Sequence, residues 1–432
     1  MKNSLLEAVC ATRRLTTCAL AALALASSVH GVAAQERDKV TIGYAVSKSG
    51  PNAGGAGMTV TPNYELWVQE VNAAGGLKMP DGSQLPIEVI AYDDRSSAEE
   101  VVRAVERLAT QDKVDIILPP WGTGFNLAVA PLMAKFGYPH LAGAAVTDKA
   151  SDFVKRWDTS FWFMGGSADY VSAFTDILVA ERAAGRINDK IAMISVADGF
   201  GIDLVKAARP SFEAAGFDVT YDKSFPPQTS DFATILNEAQ SSEADTFVAF
   251  TYPPHTFALT KQAKVASFSP PVFYLGVGAA FPVYPKIADG SVEGIMSLGG
   301  VDPNNALNNA YRAKHQEVVG RGADYWGSVL IYASLQMLEQ TVARVGLDKA
   351  AVAAELSSGT FSTVLGAETR LENNQLRAIN WVGQWQDGTF VAVSAEGGGN
   401  KMQVKLRNPA GNNPTNLTRY LSGQIVFGPD NS

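Results

Sequence analysis

From Lys39 onward the chain alternates short β-rich apolar runs with segments whose apolar residues recur every three or four positions. Lys39–Val46 (KVTIGYAV) predicts a strand, and Val60–Ala74 a helix closed by Gly75-Gly76. Leu85–Asp93 follows as a strand and Ser97–Thr110 as a helix, with Ser97 and Glu100 spaced as a capping box. Asp115–Leu118 predicts a buried strand, Phe125–Phe136 a helix and Pro139–Ala142 another strand. This order is that of a parallel sheet covered by helices on both faces.

The same alternation then restarts. Lys190–Val196, Phe217–Phe225, Asp245–Phe250 and Val272–Leu275 predict strands, separated by helices over Ile202–Ala215, Phe232–Ser241 and Thr256–Ala266. Two α/β units therefore occupy residues 40–150 and 185–280. Thr159–Gly166 (TSFWFMGG), between them, predicts a crossing strand. Beyond residue 280 the pattern predicts a strand over Val292–Leu298 and helices over Asn305–Val319, Tyr325–Val345 and Lys349–Leu356. A hairpin pairs Ile379–Trp385 with Thr389–Val393 over Gln386-Asp387-Gly388. Past Gly397-Gly398-Gly399 the polar, Asn/Pro-rich stretch predicts an extended or weakly ordered tail.

The first 34 residues break this rhythm. Arg13 and Arg14 precede a short apolar core from Cys18, and the small residues Val32-Ala33-Ala34 end it. That arrangement is a secretory signal peptide, with an apolar core too short to span a bilayer. The expected destination is the periplasm. Both cysteines, Cys10 and Cys18, fall in this leader, so the mature chain carries neither a disulfide nor a thiol nucleophile. Its removal changes the formal charge from −8 to −10, because Lys2, Arg13 and Arg14 outnumber Glu7. Such an acidic chain is ill suited to nucleic acid or an anionic membrane surface. The remaining 398 of 432 residues exceed one ordinary core and point to two domains.

Signatures of catalysis are missing: no Gly-x-Ser-x-Gly elbow and no Walker A loop occurs, and Gly276-Val277-Gly278 lacks the third glycine of a dinucleotide fingerprint. His140, His255 and His315 are scattered without metal-ligand spacing, and His140 reads as a packed core residue. No metal or cofactor is expected. Asp93-Asp94 reads as a solvated turn ahead of a helix rather than an acid/base pair.

Ligands of open parallel sheets bind beyond the carboxyl ends of the strands. Four such junctions stand out. Trp121-Gly122-Thr123-Gly124 offers bare backbone at a helix N-terminus, which suits a carboxylate, or else forms a tight turn. Gly143-Ala144-Ala145-Val146-Thr147 repeats that offer, with Thr147 either facing a ligand or capping the next helix. Asp198-Gly199-Phe200-Gly201 and Phe250-Thr251-Tyr252-Pro253 each carry an aromatic ring from a strand end, as core or as pocket wall.

Together with Ile42–Pro51 (IGYAVSKSGP), Val71–Gly76 (VNAAGG) and Glu88–Asp94 (EVIAYDD), these junctions make residues 38–395 resemble the type I periplasmic substrate-binding proteins of ABC importers, in the leucine/isoleucine/valine-binding branch. The resemblance implies two doubly wound α/β lobes joined by three crossing strands, a fold that closes on its ligand like a Venus flytrap. Lobe one would comprise 38–160 plus 283–347, lobe two 161–282 plus 348–395, and 396–432 a C-terminal extension. It implies a non-enzymatic monomer that captures a small amino acid or organic acid and delivers it to permease subunits. The ligand would meet Trp121, Gly122, Thr123 and Gly124, then Ala144, Ala145 and Thr147, and from the other lobe Phe200, Tyr252 and Gly278. Amino-acid binders of this branch place a glutamate for the ligand ammonium where this chain reads Gly276–Phe281 (GVGAAF). A buried ammonium without a counter-charge costs several kcal/mol, so an α-amino acid would need Asp198 in that role. Trp121, Phe200, Tyr252 and Phe281 suit an apolar or aromatic acid instead. A sensory ectodomain or co-receptor would share this architecture, and an exported hydrolase would need a catalytic partner for His140 or His255.

Overall fold

The computed structural model describes residues 37–377 and 379–407. The expected leader, with Cys10 and Cys18, and the part of the extension beyond Arg407 lie outside the described residues. In chain order the first elements are β1 (Val40–Val46), α1 (Ala53–Met58), α2 (Val60–Ala73), the small hairpin β2 (Leu77–Lys78) and β3 (Gln84–Leu85), then β4 (Ile87–Asp93), α3 (Ala98–Thr110), β5 (Ile116–Leu118), α4 (Thr123–Lys135), β6 (His140–Ala142), α5 (Ala150–Arg156) and β7 (Ser160–Trp162). Strand β1 is central, with parallel β4 on one side (Val40 opposite Ile87) and parallel β5 on the other (Ile42 opposite Ile116). Its near-continuous apolar sequence is what burial on both faces requires. The expected single sheet is divided: β6 pairs in parallel with β7, and no ladder joins it to β5. Ile117 of β5 and Leu141 of β6 line a small, mainly apolar cavity beside that seam.

The second series runs α6 (Ser167–Ala183), β8 (Lys190–Val196), α7 (Gly199–Ala214), β9 (Asp218–Phe225), α8 (Ala233–Ser241), β10 (Thr246–Phe250), α9 (Pro253–Val265), β11 (Val272–Leu275), α10 (Tyr284–Ile287) and β12 (Met296–Leu298). Helix α6 is absent from the pattern reading. It buries Tyr170, Phe174, Ile177 and Leu178, and also Glu181, whose carboxylate takes two 2.6 Å bonds from Arg186. That charged residue on the inner face interrupts the apolar periodicity.

The third series is α11 (Ala306–Val319), α12 (Gly327–Val345), α13 (Lys349–Ser358), β13 (Phe361–Thr363), β14 (Gly366–Thr369), β15 (Val382–Gln386), β16 (Thr389–Ser394) and β17 (Met402–Gln403). The eight-stranded sheet has the order β17-β16-β15-β12-β11-β10-β8-β9. Two expected boundaries therefore move. Strand β12, placed with lobe one by the 283–347 assignment, pairs with β11 and β15 of the second sheet. Helix α13, placed with lobe two by the 348–395 assignment, packs on the first sheet: Leu347, Lys349 and Val352 line the cavity beside Ile117 and Leu141, and the Lys349 ammonium lies 3.3 Å from the Tyr138 ring centroid. Sheet pairing and apolar burial decide membership here, and a one-dimensional pattern carries neither. The tail expected from residue 396 is also docked as far as it is described, since β17 adds in parallel to β16 and the Gln384 side chain binds both Lys405 N–H (2.9 Å) and Lys405 C=O (2.6 Å).

Three strands cross between the lobes and are bonded to one another. Trp162 N–H donates to Asn374 C=O (2.9 Å), and Leu376 N–H returns to Trp162 C=O (2.8 Å). Gly299 N–H donates to Trp381 C=O at 3.2 Å. Gly165, at φ +75°, packs against the Trp381 ring, where a Cβ would come within 2.5 Å. Behind the crossing, the Trp326 indole N–H donates to the Tyr170 hydroxyl (2.8 Å).

The first turn of α12 depends on one buried carboxylate. Asp324 accepts the N–H groups of Trp326 (2.7 Å), Gly327 (2.6 Å) and Ser328 (2.8 Å), and also the Ser328 hydroxyl. Burial raises its carboxyl above the ordinary range, against the pull of those donors. Asp324→Ala would strand the donors in a dry interior. The expected loss is about 3 kcal/mol of unfolding free energy, read from urea denaturation. A loss within error of zero would show that water replaces the carboxylate.

Candidate ligand-binding site

Strand β5 ends at Leu118 and α4 begins at Thr123. Gly122, at φ +99°, is the N-cap residue, a backbone conformation that favours glycine. With no side chain there, the first N–H groups of α4 depend on other partners. The helix starts two residues before the expected Phe125, so Thr123 and Gly124 belong to its first turn. The second predicted loop is laced to the first. Gly122 N–H donates to Ala144 C=O (3.1 Å), Val146 N–H to Thr123 Oγ1 (3.1 Å), and Thr123 Oγ1 to Val146 C=O (3.3 Å).

A buried layer holds this corner from behind. Asn126 Nδ2 donates to both Pro120 and Gly122 carbonyls at 2.9 Å, which fixes its amide orientation. Its Oδ1 is then an acceptor for His140 Nε2 at 3.0 Å. Burial pulls His140 down to about 3, so the imidazole is neutral at physiological pH and carries its proton on Nε2. His140 is thus a core residue, as its sequence context suggested, with its bond directed at the loop.

In front of the corner lie three rings from both lobes. Tyr252, from the end of β10, has its ring centroid 5.1 Å from that of Trp121 and 5.2 Å from that of Phe200, the latter stacked at 21°. Trp121, Phe200 and Tyr252 are 4%, 2% and 7% exposed, so the cluster is packed rather than splayed. Trp121 also leans on α1: a Cβ on Gly55 would come within 2.2 Å of its ring. The Tyr252 oxygen reaches the glycine corner, 3.8 Å from where a Gly122 Cβ would stand, and its polar neighbours are Thr123 N–H and the Asp198 carboxylate. Burial raises the phenol well above its ordinary range, and Asp198 adds to this.

Asp198 is the N-cap of α7, accepting Phe200 and Gly201 N–H at 3.1 Å each. The helix therefore begins three residues before the expected Ile202, and Phe200 projects from its first turn. Burial is the largest influence on Asp198 and raises its carboxyl; the two N–H groups and the Tyr252 hydroxyl oppose that rise.

The N-termini of α4 and α7 touch, with Gly124 Cα 3.4 Å from a Cβ built on Gly199. Beside them, Thr147 spends its hydroxyl on Asp203 of α7, which also pairs with Lys149 (3.2 Å). Asp148 accepts Ala168 N–H at the start of α6 (3.1 Å). The predicted residues thus divide. Trp121, Gly122, Thr123, Gly124, Phe200 and Tyr252 converge, and Ala144 adjoins them through its carbonyl. Ala145 packs with Ala142, Ala150 and Trp162, and Thr147 engages Asp203. Gly278, at φ +111°, abuts Pro253 and Phe257 on α9, and Phe281 lies near Phe257 rather than with the three rings. The loop at Gly276–Phe281 is tied inward, with Val277 N–H bonded to Thr251 C=O (2.8 Å) and Thr256 Oγ1 to Val277 C=O (2.7 Å).

Asn126, Gly55, Asp203 and Lys149 escape the sequence reading. An Asp followed by a glycine at the head of an amphipathic run is a capping signal that marks Asp198; the others carry no local signal. Among the described residues no cluster of His, Cys, Asp and Glu has metal-site geometry, and no helix is long and apolar enough to cross a membrane.

The raised carboxyl of Asp198 has a stability consequence. Its folded value lies above its unfolded one, so the folded chain binds more protons between the two, and this contribution is complete below the unfolded value and lost as pH rises through the folded value. Asp198→Asn keeps a capping oxygen but removes the titration. Wild type should lose unfolding free energy relative to this variant as pH rises above the ordinary aspartate value of about 4, measured by urea denaturation at each pH. Parallel curves would contradict it.

The family model described as periplasmic binding protein matches residues 39–389. The Leu/Ile/Val-binding protein homolog 7 of Brucella suis biovar 1 (strain 1330) is 24% identical, over 87% of this chain and 96% of its own. Among solved structures, the branched-chain amino acid transporter substrate binding protein LivJ of Streptococcus pneumoniae, in complex with isoleucine, superposes with a TM-score of 0.68 at 20% identity, covering 82% of this chain and 97% of that one. An ABC transporter solute binding protein of R. palustris, in complex with benzoate, superposes with a TM-score of 0.69 at 20% identity, covering 82% and 96%. The paired α/β lobes and the three bonded crossing strands agree with this match across most of the sequence: the chain belongs to the periplasmic binding protein family, in its two-lobed type I form.

Proposed function

We propose that the protein captures a small carboxylate-bearing solute in the periplasm and hands it to the permease subunits of an ABC importer, as a monomer that needs no cofactor and transforms nothing. The observation that carries this reading is the start of α4. Its first turn has a glycine N-cap, is braced by Asn126 and His140, and faces Trp121, Phe200 and Tyr252. Helix N-termini favour anions through oriented N–H groups and the helix dipole, and the rings offer an apolar body a dry wall. Trp121 and the α4 turn would act from lobe one and Phe200 from lobe two, so a solute between them would draw the lobes together.

The preferred solute is an aromatic or branched organic acid. The sequence Gly276–Phe281 holds no carboxylate, its loop is bonded inward, and Asp198 is committed to capping α7. A ligand ammonium would therefore lack a dedicated counter-charge. Relatives named for leucine, isoleucine and valine, and structural neighbours in complex with isoleucine and with benzoate, bracket this range.

Isothermal titration with benzoate, 4-methylpentanoate, leucine and isoleucine tests the reading. The two acids should bind and the two amino acids should bind far more weakly; at a thousand times Kd the acid should stabilise the fold by about 4 kcal/mol in a thermal-shift assay. Tight leucine binding with no response to either acid would refute the preference. Gly55→Ala supplies a second check, because the new methyl must push the Trp121 ring out of place. Acid binding should weaken about tenfold with the far-ultraviolet circular dichroism unchanged.

A further inference from the structure

We propose that Tyr252 is a resident stand-in for the ligand: its ring fills the slot between Trp121 and Phe200, its hydroxyl occupies the approach to the α4 N-terminus, and a solute binds by driving this side chain out. The inference rests on the reading of this cleft as the solute site.

The packing leaves little choice. Centroid separations of 5.1 Å to Trp121 and 5.2 Å to Phe200 are direct ring contacts. Tyr252 thus bridges Trp121 and Phe200, and all three rings are almost fully buried. The phenol oxygen stands 3.8 Å from the Cβ position of Gly122, beside Thr123 N–H. An arene face between two rings, with an oxygen offered to a helix N–H, is the pairing an aromatic acid would make. Tyr252 reaches this place from lobe two, while Trp121, Gly122 and Thr123 come from lobe one. Self-occupancy therefore holds the lobes together, alongside Thr147 and Lys149 on Asp203.

The backbone of Tyr252 is fixed, so rotation of the side chain is the way out. Its N–H donates to His255 Nδ1 (3.3 Å), its carbonyl accepts Thr256 N–H (2.9 Å), and His255 Nε2 is anchored on Pro227 C=O (2.7 Å). A competitor built into the site lowers apparent affinity by the fraction of time it is seated. It also selects. An aromatic acid replaces the ring contacts it breaks, whereas an aliphatic amino acid does not.

A phenol that contacts the ligand and a phenol that competes with it make opposite predictions for Tyr252→Phe, which keeps the ring and deletes the hydroxyl. If Tyr252 is the stand-in, titration calorimetry should show benzoate binding about tenfold tighter to the variant, because the seated state loses its polar anchor. Unchanged or weaker binding overturns the proposal. Small-angle scattering without added solute supplies a separate arm: the variant should have the larger radius of gyration, and equal values also overturn it. Should benzoate bind neither protein, the proposed ligand class fails, and the scattering arm alone decides the role of Tyr252.

Discussion

The first N–H groups of α4 are the constraint on which the rest of the site depends. A helix that begins at a positive-φ glycine has no side chain to cap it, and it begins where two lobes meet rather than in bulk water. The surrounding chain fixes the turn in layers and brings one oxygen to it. Asn126, itself held by His140, binds the Pro120 and Gly122 carbonyls, the Ala144–Val146 loop is bonded across, and Tyr252 brings an oxygen from the opposite lobe. A capping Asp or Ser at position 122 would satisfy the helix locally. It would also remove the feature that can receive an anion.

The second lobe is arranged in the reverse sense. Helix α7 begins at Asp198, which satisfies two of its own N–H groups, and Asp203 one turn further on takes Thr147 and Lys149 from lobe one. One lobe thus presents an uncapped helix start and the other a capped one flanked by carboxylates. The asymmetry places donors for a solute oxygen on one wall and keeps negative charge on the other, where it grips the facing loop. The same carboxylates make the cleft a poor host for a second anion at that end, which orients an acid with its charge toward α4. At the crossing, paired backbone bonds and the close packing of Trp381 on Gly165 tie the strands together.

Much of the scaffold was legible because parallel α/β units write themselves in alternating periods. The strands β1, β4, β5, β8, β9, β10 and β11, and the helices α2, α3, α4, α7, α8 and α9, lie where the pattern placed them, with ends shifted by a few residues. The shifts matter at the site: α4, α7 and α9 each begin two or three residues early, which turns Thr123, Phe200 and Pro253 from loop into first-turn residues. Helix α6 went unread because Glu181 sits on its buried face, neutralised by Arg186. The expected lobe boundaries failed at β12 and α13, where membership depends on which sheet edge or helix face is free to receive the segment.

The amino-acid sequence by itself determined the class of fold, the confinement of both cysteines to the first 34 residues, and the set of small and aromatic residues at strand ends. These follow from local chemistry: periodicity and glycine at a turn. Only the tertiary structure decided which of those residues meet. Trp121 and Tyr252 are 131 positions apart, Thr147 and Asp203 56 apart, and no short-range rule links either pair. Their encounter is set by lobe closure across the crossing strands, and contacts of that separation depend on packing and geometry that accumulate over the whole chain.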